Sequence, residues 1–123
     1  MKLTRPLVAL DLETTGVDPT SSRIVEVGLI RVEADGSSPR WPSHWTINPG
    51  CAIPEAAQFI HGITDADVSG CPAFADVAAE IARALEGCDL VAYNARALDL
   101  PLLRREFSMA GVAYPCEGAR ILD

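Results

Sequence analysis

The sequence predicts an α/β domain built on a mixed sheet, and three observations predict it. β-Branched, partly alternating stretches come first, three of them joined by short turn-rich links. A helix–strand–helix run follows them. Hydrophobic residues make up 49% of the 123 residues, enough to bury one core.

The elements follow in chain order. Residues 7–12 form an apolar run broken only by Asp11 and read as a buried strand. The Asp18–Ser22 stretch is rich in turn formers. Residues 23–33 (RIVEVGLIRVE) read as a second strand, and residues 41–47 as a third, closed by Asn48-Pro49-Gly50. Links this short favour an antiparallel meander. Residues 54–59 offer one or two helical turns, and Thr64 with Asp67 has the spacing of a capping box. Residues 72–86 are the clearest helix, because Phe74, Val77, Ile81 and Leu85 form one stripe of a 3.6-residue period. Pro72 suits its first turn and Gly87 its stop. Residues 89–93 read as a fourth strand and residues 99–110 as a second long helix. The tail shows only an apolar hint at Ile121 and Leu122.

Composition narrows the partners. Ten basic residues against 17 acidic ones give a net charge of −7. Such a chain repels phosphate at long range, so any nucleic-acid role has to be local. Cys51, Cys71, Cys88 and Cys116 match no zinc spacing and read as reduced thiols. No run is long enough for a signal peptide or a membrane span, so a cytoplasmic protein with no membrane partner is expected.

Asp11 and Glu13 are the sharpest chemical feature. Two residues apart on a strand, they project from one face, with α-carbons about 6.5 Å apart. Like charges this close resist joint ionisation unless a cation lies between them. A hard divalent ion with a preference for oxygen, Mg²⁺ or Mn²⁺, suits the pair. On its own the pair also fits a strand running out into solvent.

The residues that follow narrow the choice. Asp11-Leu12-Glu13-Thr14-Thr15-Gly16 resembles the first motif of the DEDD-type 3′–5′ exonucleases, the superfamily of the proofreading epsilon subunit of bacterial DNA polymerase III. Ile60-His61-Gly62-Ile63-Thr64 resembles the H-G-I-T segment of that family, and the stretch from Val91 through Asn94 and Asp99 to Leu103 its second acidic motif. Leu98 stands where many members have Phe. The resemblance implies a ribonuclease-H-like sheet and hydrolysis of the 3′-terminal phosphodiester of DNA or RNA. It implies a two-metal site with Asp11 bridging, Glu13 on the water-activating ion and Asp99 acting through water. By the same resemblance, Thr14, Thr15 and Gly16 offer backbone donors to the terminal nucleotide, His61 lies beside it and Asn94 supports the site. The implied partners are a single-stranded 3′ end and a DNA polymerase subunit.

Plainer readings stand beside these. Asp99 also suits a helix start through the macrodipole, and His61 also suits a loop histidine bonded to backbone. His44 has no motif around it and reads as structural. Trp41 and Trp45 share a strand face and read as core. Arg96, Arg104 and Arg105 read as a solvated helix face. The family uses a fourth acidic residue with His or Tyr a few residues before it. Nothing after Asp99 matches, since Tyr114 is followed four residues on by Gly118, and Asp123 reads as the Leu-Asp that precedes a further helix. The expectation is one exonuclease-type domain over residues 1–123, cut short before its third catalytic block and lacking the family's final strand. Two other functions stay open: a non-catalytic module that binds nucleic acid or a polymerase, and an oligoribonuclease-like RNA hydrolase.

Overall fold

A computed structural model describes residues 3–37, 43–93 and 95–123. β1 (Leu7–Thr14) is the central strand. β2 (Ile24–Val32) pairs with it antiparallel, and β3 (Ser43–Thr46) pairs antiparallel with β2, which is the expected meander. On its other side β1 takes β4 (Asp89–Val91) in parallel, and β4 takes β5 (Ile121–Leu122) in parallel. The order is β3-β2-β1-β4-β5.

The fifth strand corrects the expectation that the last strand is missing. Its two residues carry no readable alternation, and its pairing comes from a partner some thirty positions away, Leu90 with Ile121. β3 ends at Thr46, one residue before the expected end, and residues 41 and 42 lie outside the described residues. Trp41 lies outside the described residues, while Trp45 is half-buried against the core as expected.

The strand pleat decides which face is covered. Val8, Leu10 and Leu12 alternate into the main core, and Val27, Leu29 and Leu90 join them. Two helices close this face: α3 (Phe74–Leu85) through Phe74, Ala78, Ile81 and Leu85, and α4 (Leu100–Ala110) through Leu102, Leu103 and Phe107. Ala78 rather than Val77 completes the buried stripe of α3. Pro72 lies ahead of the helix, where its carbonyl accepts the Asn48 N–H at 2.8 Å. The odd-numbered β1 residues Ala9 and Asp11 are exposed on the opposite face.

A β-bulge between Glu13 and Thr14 moves the β1–β2 register, so Glu13 faces Glu26 and Thr14 faces Ile24. The residue passed over, Val25, packs into a second small core with Ile53, Ala57 and Val68. That core lies under α1 (Glu55–His61) and α2 (Asp65–Val68). The capping box of α2 is present: Thr64 N–H donates to Asp67 at 2.9 Å and Asp67 N–H to Thr64 Oγ1 at 3.2 Å. No helix among the described residues is long and apolar enough to cross a membrane.

Phe74 and Phe107 join the two helices edge to face, with ring centroids 5.1 Å apart. Both rings are buried, so Phe74→Ala is expected to cost about 3–5 kcal/mol through lost burial and a cavity. Urea denaturation checks this; a loss below ~1 kcal/mol would contradict the packing described.

Candidate active site

Parallel pairing brings the carboxyl ends of β1 and β4 to one end of the sheet, at the point between them where the strand order reverses. Ligands in open α/β sheets bind at such points. Asp11 and Glu13 lie on the last residues of β1, with Asp11 exposed and Glu13 half-buried. Burial and the negative charge of Asp11 raise the Glu13 carboxyl above its ordinary range, and His61 partly offsets this. Glu26, directly across the ladder, adds to the rise. Sequence reading missed Glu26, because only strand register brings it opposite Glu13. His44 stands against it, with Nε2 3.0 Å from Glu26 Oε2 on an exposed edge.

Asp99 does not open its helix. A π-helical turn, Ala95–Asp99, precedes α4, so Asp99 sits inside a continuous helical stretch with φ −61° and ψ −47°. The macrodipole account of this acid therefore fails. The N–H groups at the start of that turn are held by Asp123, whose carboxylate accepts from Ala95 at 2.9 Å and Arg96 at 3.0 Å. Asp99 itself is 6% exposed. Burial first, then the charges of Asp11, Asp123 and Glu13, push its carboxyl up to about 7. Three acids from two elements thus share one electrostatic neighbourhood, and Asp123 joins it. Asn94 lies outside the described residues.

The donor chemistry fits a divalent ion, since every group is a carboxylate and their mutual repulsion is what a cation relieves. Among the described residues no three His, Cys, Asp or Glu side chains are grouped to hold one ion.

Beside Glu13 opens an apolar cleft of about 500 Å³. Glu13, Thr14, Thr15, Gly16, His61 and Leu98 line it, so it gathers five of the residues singled out by motif and the apolar Leu98. Val17, which motif reading passed over, and Ile60, which opens the H-G-I-T segment, also line it and stand largely exposed. Apolar residues next to the D-x-E and H-G pairs were the available signal.

Three expectations change. The Thr15 N–H is not offered to a ligand, because closing the bulge gives it to the Arg23 carbonyl at 2.8 Å, and Thr15 Oγ1 accepts the Arg23 N–H at 2.9 Å. His61 is not in a loop: it ends α1, and Gly62 follows at φ 74°. Ile63 N–H donates to His61 Nδ1 at 3.0 Å, so the proton is on Nε2, which donates to the Thr14 carbonyl at 3.1 Å. His61 thus bonds backbone and lines the cleft at once, with both ring nitrogens engaged. The arginines are not simply solvated. Arg104 pairs with Glu117 at 2.6 Å and lies over Tyr114, Arg105 donates to the Ser22 carbonyl at 2.7 Å, and Arg96 donates to the Ile121 carbonyl at 3.3 Å.

Known proteins are similar to this chain in sequence and in fold. A DNA polymerase III subunit epsilon-like protein of Rhodobacter capsulatus is 39% identical over 105 residues, covering 85% of this chain and 15% of that protein. The DNA polymerase III subunit epsilon of Buchnera aphidicola is 32% identical over 114 residues, covering 89% and 48%. The 3′-5′ exonuclease DinG of Bacillus subtilis is 31% identical over 112 residues, covering 89% and 12%. The chain thus spans half or less of the length of these relatives. In fold it is similar to Escherichia coli exonuclease I crystallised with a dT13 oligonucleotide, at TM-score 0.82 and 20% identity over 96% of this chain and 27% of that one. Domains of the matched family generally depend on divalent metal. With the exonuclease (RNase_T) family model matching residues 8–123, the chain belongs to that family.

Proposed function

We propose that these residues belong to a metal-dependent 3′–5′ exonuclease domain, which removes nucleoside monophosphates from the 3′ end of DNA or RNA. The observation that carries the reading is the placement of Asp11 and Glu13 near the end of β1 beside the apolar cleft and the Asp99 helical stretch, where burial, Asp11, Asp123 and Glu13 push the Asp99 carboxyl up to about 7. Strong perturbation of an acid beside a cleft is characteristic of functional sites. Asp11 and Glu13 would hold a divalent ion, Mg²⁺ or Mn²⁺, with the Asp99 carboxylate as a further acidic group of the same site. When bound, the metal lowers the pKa of a water and offsets charge on the leaving oxygen. Thr14, Gly16, Leu98 and His61 form the wall that receives the terminal nucleotide, with Asn94 as support. His61 holds Thr14 in place through its Nε2–H rather than taking a proton. The name DNA polymerase III subunit epsilon among the relatives supports a replication setting with a DNA polymerase subunit as partner; a cytoplasmic location is part of the same proposal.

The test is digestion of 5′-labelled single-stranded DNA and RNA in Mn²⁺, with free and blocked 3′ ends. Stepwise shortening from the free 3′ end alone is expected. The 123-residue chain should be slow, because His61 is engaged at both nitrogens and His44 faces Glu26. General-base assistance is typically worth about 10²–10⁴-fold. Internal cuts, or shortening that ignores the 3′ block, would refute the proposal. Binding of the 3′ end with no cleavage in any metal would favour the non-catalytic module instead.

A further inference from the structure

We propose that Glu106 is a positioning residue of this site: from α4 it fixes the wall of the cleft at a set distance from the acidic cluster. The inference rests on the exonuclease reading for its ligand, a nucleoside 5′-monophosphate, and on the following contacts for the rest. Glu106 lies two helical turns beyond Asp99 on the same helical stretch and is 1% exposed. Its Oε1 accepts from Arg23 Nε at 3.2 Å and from the Arg23 terminal nitrogen at 3.0 Å. Its Oε2 accepts from Arg23 Nε at 3.2 Å and from the Ile24 backbone N–H at 2.9 Å.

A carboxylate buried among Leu102, Leu103 and Phe107 is costly, and an apolar residue of similar size would serve stability as well or better. What the carboxylate adds is direction. Arg105 beside it grips the Ser22 carbonyl, so Ser22, Arg23 and Ile24 are all tied to α4. Arg23 in turn clamps Thr15 through two backbone-centred bonds. Ser22 packs so closely on Gly16 that a Cβ there would come within 2.9 Å of its Oγ. Thr15 and Gly16 line the cleft. One continuous helical stretch therefore carries Asp99 and, through Glu106, the anchor of the nucleotide wall.

The test uses the 123-residue chain, Glu106→Gln and the double variant Arg23→Met/Glu106→Met. Each is titrated with Mn²⁺ and then, at saturating Mn²⁺, with thymidine 5′-monophosphate, and melting temperatures are recorded. Glu106→Gln should leave Mn²⁺ affinity within about twofold and weaken nucleotide binding roughly tenfold, the lower end of losses for outer-shell partners. A purely structural residue would lower both affinities or neither. The double variant should recover the melting temperature without recovering nucleotide affinity, and it decides the matter if Glu106→Gln does not fold. Recovery of both in the double variant, or wild-type nucleotide affinity in Glu106→Gln, overturns this inference alone. Failure of the wild-type chain to bind the nucleotide overturns the exonuclease reading and this inference with it.

Discussion

Asp99→Asn is expected to stabilise the metal-free protein at pH 8 while removing its metal-dependent function. The Asp99 carboxyl rises from an ordinary 3.8 to about 7, because burial and the charges of Asp11, Asp123 and Glu13 disfavour its ionised form. The folded state then binds this proton more tightly than the unfolded state does. The stability linked to it is complete below about pH 4, declines as the group ionises and is gone above about pH 7. At about 1.4 kcal/mol per pKa unit, the full rise corresponds to roughly 4 kcal/mol. Other groups act in the opposite sense. Asp89 is held low by the backbone N–H and guanidinium of Arg120, so its contribution disappears in acid. The readable quantity is therefore the difference between variant and wild type. It should be near zero at pH 4 and reach about 2–4 kcal/mol in favour of Asp99→Asn at pH 8. Chemical denaturation across that range checks it. A difference that stays flat with pH, or that favours wild type at pH 8, would mean that Asp99 does not sit in a repelling acidic neighbourhood.

Much of this site was readable before any fold was known, for definable reasons. Asp11 and Glu13 share a face because a strand repeats every two residues, and that rule survived the bulge, which begins one residue later. The α3 stripe was readable because a long amphipathic period averages over single residues. The shift from Val77 to Ala78 was not, since a small residue gives a weak signal. The start of the Asp99 helix was misplaced for another reason. Pro101 suits an early helical position, yet a π turn held by Asp123 adds five residues before it. That cap comes from 28 positions away, and no local pattern encodes it. Glu106 is the clearest such case: it looks like an ordinary helix acid, and its partner Arg23 is 83 positions distant. Local periodicity specifies elements, whereas the partners of buried charges are set only when the sheet assembles.

Asp11→Asn carries the largest expected effect on function, because it removes charge from the acid that acts on both Glu13 and Asp99. Asp11 is exposed and packs into neither core, so the variant should fold as wild type does. Replacing a carboxylate ligand by a neutral amide should weaken divalent binding at least about tenfold, since even outer-shell substitutions commonly cost 10–100-fold. Mn²⁺ should bind more tightly than Mg²⁺, following the usual order for divalent ions. The most direct measurement is an electron paramagnetic resonance titration of Mn²⁺ into the 123-residue chain and into Asp11→Asn at pH 8. A weak saturable site in the wild type that is lost in the variant is the predicted result. Equal Mn²⁺ affinity in the two proteins, or no binding to the wild type with all its carboxylates intact, would contradict the claim that these acids form a metal-dependent nuclease centre.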